Sequence, residues 1–319
     1  MLFKFPDAVH RHDWWILSGI AAASLAASLA LGFSLPNATP FYYVIPAAAT
    51  LIPAALAHAR GQSRLQVTII TLLVWLFCAS LVLGHGCYAL AALNFPLQDA
   101  AFARFDDAIG LDLVALRTAV GRSEWMSFIL QAAYHHTGNQ IMLGLVVLFL
   151  LRDDFRHLRD TVSVYSLGVL ATIILSTILP AIGAYPYLEM HRADPGFLAN
   201  AGTDGYIAHY TGLRDGTLRA FPTTGWRGIV TFPSFHTIIS LVAAYAVLPV
   251  RWLFWPSALF SCVVMISTLP VGGHYSIDVI AGLAIFAASV AWVHRRNRLD
   301  AAIRPSAPRG HAPELAVSA

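Results

Sequence analysis

Gly272-Gly273-His274-Tyr275-Ser276-Ile277-Asp278 stands at the head of an apolar run over residues 275–294. A run of about 20 apolar residues is long enough to cross a bilayer as a helix. The polar stretch therefore marks the point where such a helix enters the membrane. On that helix His274 and Asp278 share one face. A carboxylate beside an imidazole fixes its tautomer and raises its basicity, which suits a histidine acting as nucleophile or base. The two glycines remove side chains just ahead of it, which lets a ligand come close to the backbone. The same pair also fits a boundary histidine held by a carboxylate for stability, although ionisable groups in spanning segments generally mark function.

The rest of the chain has the same character. Of its 319 residues 57% are hydrophobic and only 12% charged, against roughly 25% charged in soluble domains; mean hydropathy is +0.64. This is the composition of an integral membrane protein. A net charge of +3 gives no basis for nucleic-acid binding. Cys78, Cys87 and Cys262 all fall in apolar segments. Without metal-ligand spacing they read as small core hydrophobes.

Apolar runs at 14–35, 41–57, 66–91, 126–151, 162–184, 231–250, 252–270 and 275–294 predict an all-α, polytopic bundle of about eight transmembrane helices. The first run exceeds the 7–15 residues of a signal-peptide core and reads as a retained helix, although Ala26-Ala27-Ser28 mimics a cleavage site. Arg60 and Arg64, the group Arg152, Arg156 and Arg159, Arg251, and the stretch His294-Arg295-Arg296-Asn297-Arg298 all fall on one side of eight spans. That side is the cytoplasm by the positive-inside rule, and it holds both termini. The expected location is a bacterial-type inner membrane, with the site periplasmic. The domain reading is N-terminal spans over 1–91, an amphipathic outer-face segment over 92–125, a catalytic core over 126–298 and a disordered tail over 299–319. The long outer segment 185–230 shows no clear period, and a loop of that length is usually functional.

A second signal is Phe232-Pro233-Ser234-Phe235-His236-Thr237. Proline belongs in the first turn of a helix. Ser234 and the free amides there form an anion site, or simply a helix cap. By the arginine count this stretch and His274–Asp278 both begin helices entering from the outer face. Two histidines, a carboxylate, a hydroxyl and two helix N-termini at one depth suit phosphoryl transfer: one histidine attacks phosphorus and the other protonates the leaving oxygen.

Pro233-Ser234-Phe235-His236 resembles the second signature motif of the type-2 phosphatidic acid phosphatase superfamily, and Ser267 through Asp278 resembles the third. The resemblance covers roughly 126–294. It implies a six-helix core in which His274 is the nucleophile, Asp278 orients it, His236 is the general acid, and Ser234 with nearby amides, Gly273 among them, holds phosphate. No cofactor or metal is implied. Two departures stand out. Thr268 occupies the position after Ser267 where the third motif carries an arginine, and the Lys and Arg-Pro of the first motif are missing, the only candidates being Lys4 and Arg304-Pro305. Both departures remove phosphate clamps. With His274-Tyr275 ahead of Asp278, they make the chain most similar to the inositol phosphorylceramide synthase and sphingomyelin synthase branch. The implied partners are a lipid phosphate in the bilayer and an alcohol acceptor such as inositol; no oligomeric state follows.

The outer-loop arginines Arg192, Arg214, Arg219 and Arg227 are the candidates to replace the clamps, Arg227 first by its nearness to the second motif. Tyr134-His135-His136 and Asn139-Gln140 form a polar patch in the fourth span. They either line a head-group pocket or bond between helices. A metal-dependent hydrolase using His191, His209, His236 and His274 lacks close ligand spacing. A non-enzymatic lipid transporter or binder would be expected to show repeated halves, and none is visible. Hydrolysis and transfer differ only in the acceptor, which these residues do not name.

Overall fold

The computed structural model describes residues 9–34, 64–151, 155–189, 203–221 and 227–303. Among them are twelve helices and no β-strand beyond one isolated bridge between Ser34 and Ala220. They are α1 (Arg11–Ala30), α2 (Arg64–Ala91), α3 (Asp99–Ala108), α4 (Leu113–Gly121), α5 (Glu124–His135), α6 (Thr137–Leu151), α7 (Phe155–Ile178), α8 (Ala184–Tyr187), α9 (Thr203–Asp215), α10 (Phe235–Ala246), α11 (Arg251–Thr268) and α12 (Ser276–Ile303).

Three of these helices are long and apolar enough to cross a bilayer: Arg11–Ala30, Arg156–Ile178 and Ser276–Ala302; the apolar helices Trp75–Ala91 and Phe235–Ala246 are shorter. Trp252, Trp255, Leu259 and Ile266 along α11 are all more than half exposed, as side chains that face lipid would be. The expected segment 41–57 lies outside the described residues.

The bundle is built around α10, which packs against α6, α7, α11 and α12. Ile238, Val242, Ala243 and Ala246 of α10 are all fully buried. Its neighbours come close because they carry small residues at the crossings. A Cβ on Gly168 of α7 would sit 2.7 Å from Ile238, and one on Gly282 of α12 would sit 2.9 Å from the Ser234 carbonyl. This is how helices associate where lipid is as apolar as leucine. α1 packs on α2 and α7, outside this group.

Four sequence expectations are refined. The fourth span is divided at His136, where α5 ends and α6 begins. The amphipathic segment 92–125 is divided into two helices, α3 and α4; Asp112 caps α4 by accepting from the Ala115 amide at 2.8 Å. The segment 185–230 contains a helix, α9, held by Tyr206 Oη donating to the Ile182 carbonyl at 2.9 Å and by Arg214 donating to the Phe95 carbonyl. α12 also continues to Ile303, past the expected start of the tail at 299.

Candidate active site

α10 and α12 begin side by side. The Ser234 amide donates to the main-chain carbonyl of Asp278 at 3.0 Å, joining the first turns of the two helices. Ser234 is fully buried, and its hydroxyl accepts from the Thr237 amide at 3.4 Å and from the Thr237 hydroxyl at 3.1 Å. It is the N-cap of α10. The hydroxyl thus caps the helix, whose N-terminal amides need an acceptor.

His274 lies in the turn between α11 and α12, 2% exposed. Its Nδ1 is 3.1 Å from Asp278 Oδ2, and the same oxygen accepts the Tyr275 amide at 3.0 Å. Donation from Nδ1 leaves the Nε2 lone pair as the reactive one. Burial disfavours the imidazolium and pushes His274 down to about 4, outweighing a Thr231 backbone contact that favours it. His236, one residue into α10, presents its ring edge-on to His274 with centroids 6.4 Å apart. Tyr134, from the last turn of α5, stacks on the other side of the site against His236 at 4.0 Å. The two histidine motifs therefore meet in space, as phosphoryl transfer between them requires.

The packing of the turn itself requires both glycines. Gly273 has φ +69°, and a Cβ there would sit 2.8 Å from the Tyr185 ring. A Cβ on Gly272 would sit 2.7 Å from the Tyr134 ring. The space a side chain would take at either glycine is filled by these tyrosines. Gly273 instead gives its carbonyl to the Ala184 amide at 2.8 Å, and the Tyr185 hydroxyl donates to the Leu269 carbonyl at 2.7 Å.

Two carboxylates on α3 also hold the turn, and sequence reading missed both roles. Asp99 accepts the Ile182 and Gly183 amides at 2.9 Å and the Tyr275 hydroxyl at 3.0 Å. Asp106 accepts the Ser276 amide at 3.1 Å and its hydroxyl, capping α12. Burial raises both carboxyls above their ordinary range, against these hydrogen bonds. The signal was present: Asp99, Phe102 and Asp106 recur at i, i+3 and i+7 on one face, and Phe102 packs on Phe232 and Tyr275.

The arginines are distributed differently from the expectation. Arg219 donates to the carbonyls of Leu213 and Leu218 and lies over Phe33, so it serves the loop after α9. The Arg227 amide donates to the Tyr88 hydroxyl on α2, and the residue is exposed. Arg214 is tied to Phe95, and Arg192 lies outside the described residues. The arginine beside the turn is Arg117 of α4, 3% exposed, its guanidinium 3.5 Å from the centre of the Tyr185 ring. Nothing in the sequence distinguishes it from the other charges of 92–125. Gln140 bonds between helices, donating to Ser257 and Ser261 of α11. His209 is held by Tyr88 at 2.6 Å, and among the described residues no three His, Cys, Asp or Glu side chains converge as a metal site.

Comparison with curated proteins and with solved structures gives no match. A family model, described as PAP2 superfamily, matches residues 100–292. That range is more than half of the chain and holds every contact of the His236–His274–Asp278 cluster described above. Its members are generally phosphatases or phosphotransferases, and this chain, with its paired histidines at the heads of α10 and α12, belongs to the PAP2 superfamily.

Proposed function

We propose that this protein is a membrane phosphotransferase or phosphatase acting on a lipid phosphate or phosphodiester at the outer face, through a phosphohistidine on His274. The observation that carries this reading is the edge-on approach of His236 to His274 at 6.4 Å, with Asp278 on the far nitrogen of His274. His274 Nε2 attacks phosphorus as the bond to the leaving oxygen breaks, and His236 delivers a proton to that oxygen. Water or an alcohol then attacks the phosphohistidine, giving its proton back to His236. The N-terminal ends of α10 and α12, together with Arg117, favour the phosphate charge.

Transfer in the manner of inositol phosphorylceramide synthase-like enzymes has specific support. Thr268, standing where a clamp arginine is expected, is fully buried with its hydroxyl on the Met265 carbonyl, so α11 offers no cation there. A cavity of about 440 Å³ adjoins Tyr275, lined by Asp106, Asp107, Asp112 and Leu188 among others, and its carboxylates suit the hydroxyls of a polyol acceptor.

Single-turnover labelling with a phosphate-labelled lipid tests the reading. The expected result is an acid-labile, base-stable phosphoenzyme that is absent in His274→Ala and whose decay accelerates with inositol if the enzyme is a transferase. Turnover that persists in His274→Ala without such an intermediate would overturn it.

A further inference from the structure

The outward stripe of α5 and α6 is interrupted by polar residues. Main-chain bonds run through the junction, from His136 to the Ala132 carbonyl at 3.0 Å and from Gln140 to the His136 carbonyl at 3.1 Å, so the two helices keep a common register. Phe128, Ile129, Met142 and Leu143 are 67, 51, 43 and 64% exposed. His135 lies seven residues from both Phe128 and Met142, and His136 seven from both Ile129 and Leu143, so all six share one stripe. His135, His136 and Asn139 are exposed on it. A stripe whose exposed side chains are apolar above and below thus carries two imidazoles and an amide between, which in a bilayer is costly unless a polar group meets them.

That interruption leads to the site. His135 meets Tyr134 edge-on at 5.7 Å, Tyr134 stacks on His236 at 4.0 Å, and His236 meets His274 edge-on at 6.4 Å. A file of rings connects the exposed stripe to the buried pair. The Asn139 amide nitrogen lies 2.9 Å from His136 Nδ1. An amide donor on Nδ1 leaves the His136 proton on Nε2, where it points away as a donor.

We propose that His135, His136 and Asn139 form a head-group subsite opening sideways on the bilayer, which takes the anionic phosphate of a lipid before it reaches His236 and His274. This rests on the lipid-phosphate reading above, and it adds the side of the bundle from which substrate arrives and the donors that receive it. Imidazole and amide donors suit phosphate oxygens, while the exposed Phe128, Ile129, Met142 and Leu143 suit acyl chains. A soluble phosphate ester would use only the donors.

The test is binding rather than turnover. The full chain carrying His274→Ala is titrated with dioleoyl phosphatidic acid in detergent micelles by native mass spectrometry. It is compared with the same chain also carrying His135→Leu, His136→Leu and Asn139→Leu. Polar-to-leucine changes on a lipid-facing stripe preserve folding, so both proteins are measurable. The expected result is phosphatidic acid affinity at least about tenfold lower in the leucine variant, from the loss of charge-assisted hydrogen bonds. Dioleoylglycerol binding should be equal in the two, and equimolar inorganic phosphate should not displace the lipid. Equal phosphatidic acid affinity in both proteins overturns the subsite, and so does full displacement by inorganic phosphate, which would indicate an anion site indifferent to the lipid. If the wild-type chain turns over no lipid phosphate while the leucine variant still loses affinity, the catalytic reading fails and the subsite stands. If turnover is intact and affinities are equal, the reverse holds.

Discussion

Both ends of α12 bring histidines and carboxylates together, and they are built in different ways. At the C-terminal end Arg296 fills the cluster: its guanidinium contacts His10, His12 and Ser163, and lies 3.4 Å from Asp160, which also accepts from Asn297 at 2.8 Å. Asp13, fully buried, takes the Ser163 hydroxyl at 3.0 Å. At the N-terminal end the Asp278 carboxylate is met by an imidazole and an amide, its Oδ1 accepts no hydrogen bond, and the cation of that region, Arg117, sits one tyrosine ring away. A cluster with its own cation inside has no electrostatic place for an anion. One that keeps imidazoles and helix N-termini facing each other does. The first is a latch that ties α1, which precedes the matched residues 100–292, to α7 and α12. The second is the candidate site.

The sharpest way to break this contrast is to remove a histidine from each end. His274→Ala should lower single-turnover rate by about a thousandfold or more, as loss of a nucleophile does, while His12→Ala should leave it within about twofold. Comparable losses at both ends would show that the two clusters are not different in kind. Next in size, Asp106→Asn and Asp99→Asn should each lower kcat by about tenfold with KM little changed, because they misplace the turn rather than the substrate; a change confined to KM would move these carboxylates to substrate binding. Arg117→Leu should lower kcat/KM about tenfold, with Arg219→Leu nearly neutral in the same assay, and the opposite ranking would return the phosphate charge to the loop after α9.

Arg296→Ala should leave turnover per folded molecule unchanged and lower the thermal midpoint by several degrees, since it removes the cation beside the buried Asp160 and leaves it only the Asn297 amide. Lost turnover at unchanged midpoint would mean the latch communicates with the site. The smallest effect concerns pH. His274 is held down to about 4, below the ordinary value near 6.5 for a histidine. Its neutral, nucleophilic form therefore persists as pH falls, and the acid limb of phosphoenzyme formation should lie near pH 4. A limb near 6.5 instead would show the imidazole to be solvated.

Much of the site was legible from local spacing. The four-residue interval between His274 and Asp278 signals their contact, although His274 stands in the turn two residues ahead of α12 rather than on the helix, and Pro233 and Ser234 mark where α10 starts. The packing around Gly273, Ser234 and Arg219 was not legible in the same way. A glycine opens space without saying what fills it, and here it is Tyr185. A serine at a helix start is equally a cap or an anion donor. An arginine's reach depends on a loop whose path has no periodicity.

The sequence by itself determined an apolar helical bundle, the heads of two helices, and the chemistry of the residues placed there, because hydrophobic length, helical period and capping are local properties of a chain. Only the tertiary structure decided that His236 and His274 stand 6.4 Å apart, that Tyr134 and Tyr185 occupy the glycine turn, that α3 holds it through Asp99 and Asp106, and that Arg117 is the nearby cation. Those contacts join residues distant along the chain, and their partners are selected by packing around α10, which no local pattern encodes.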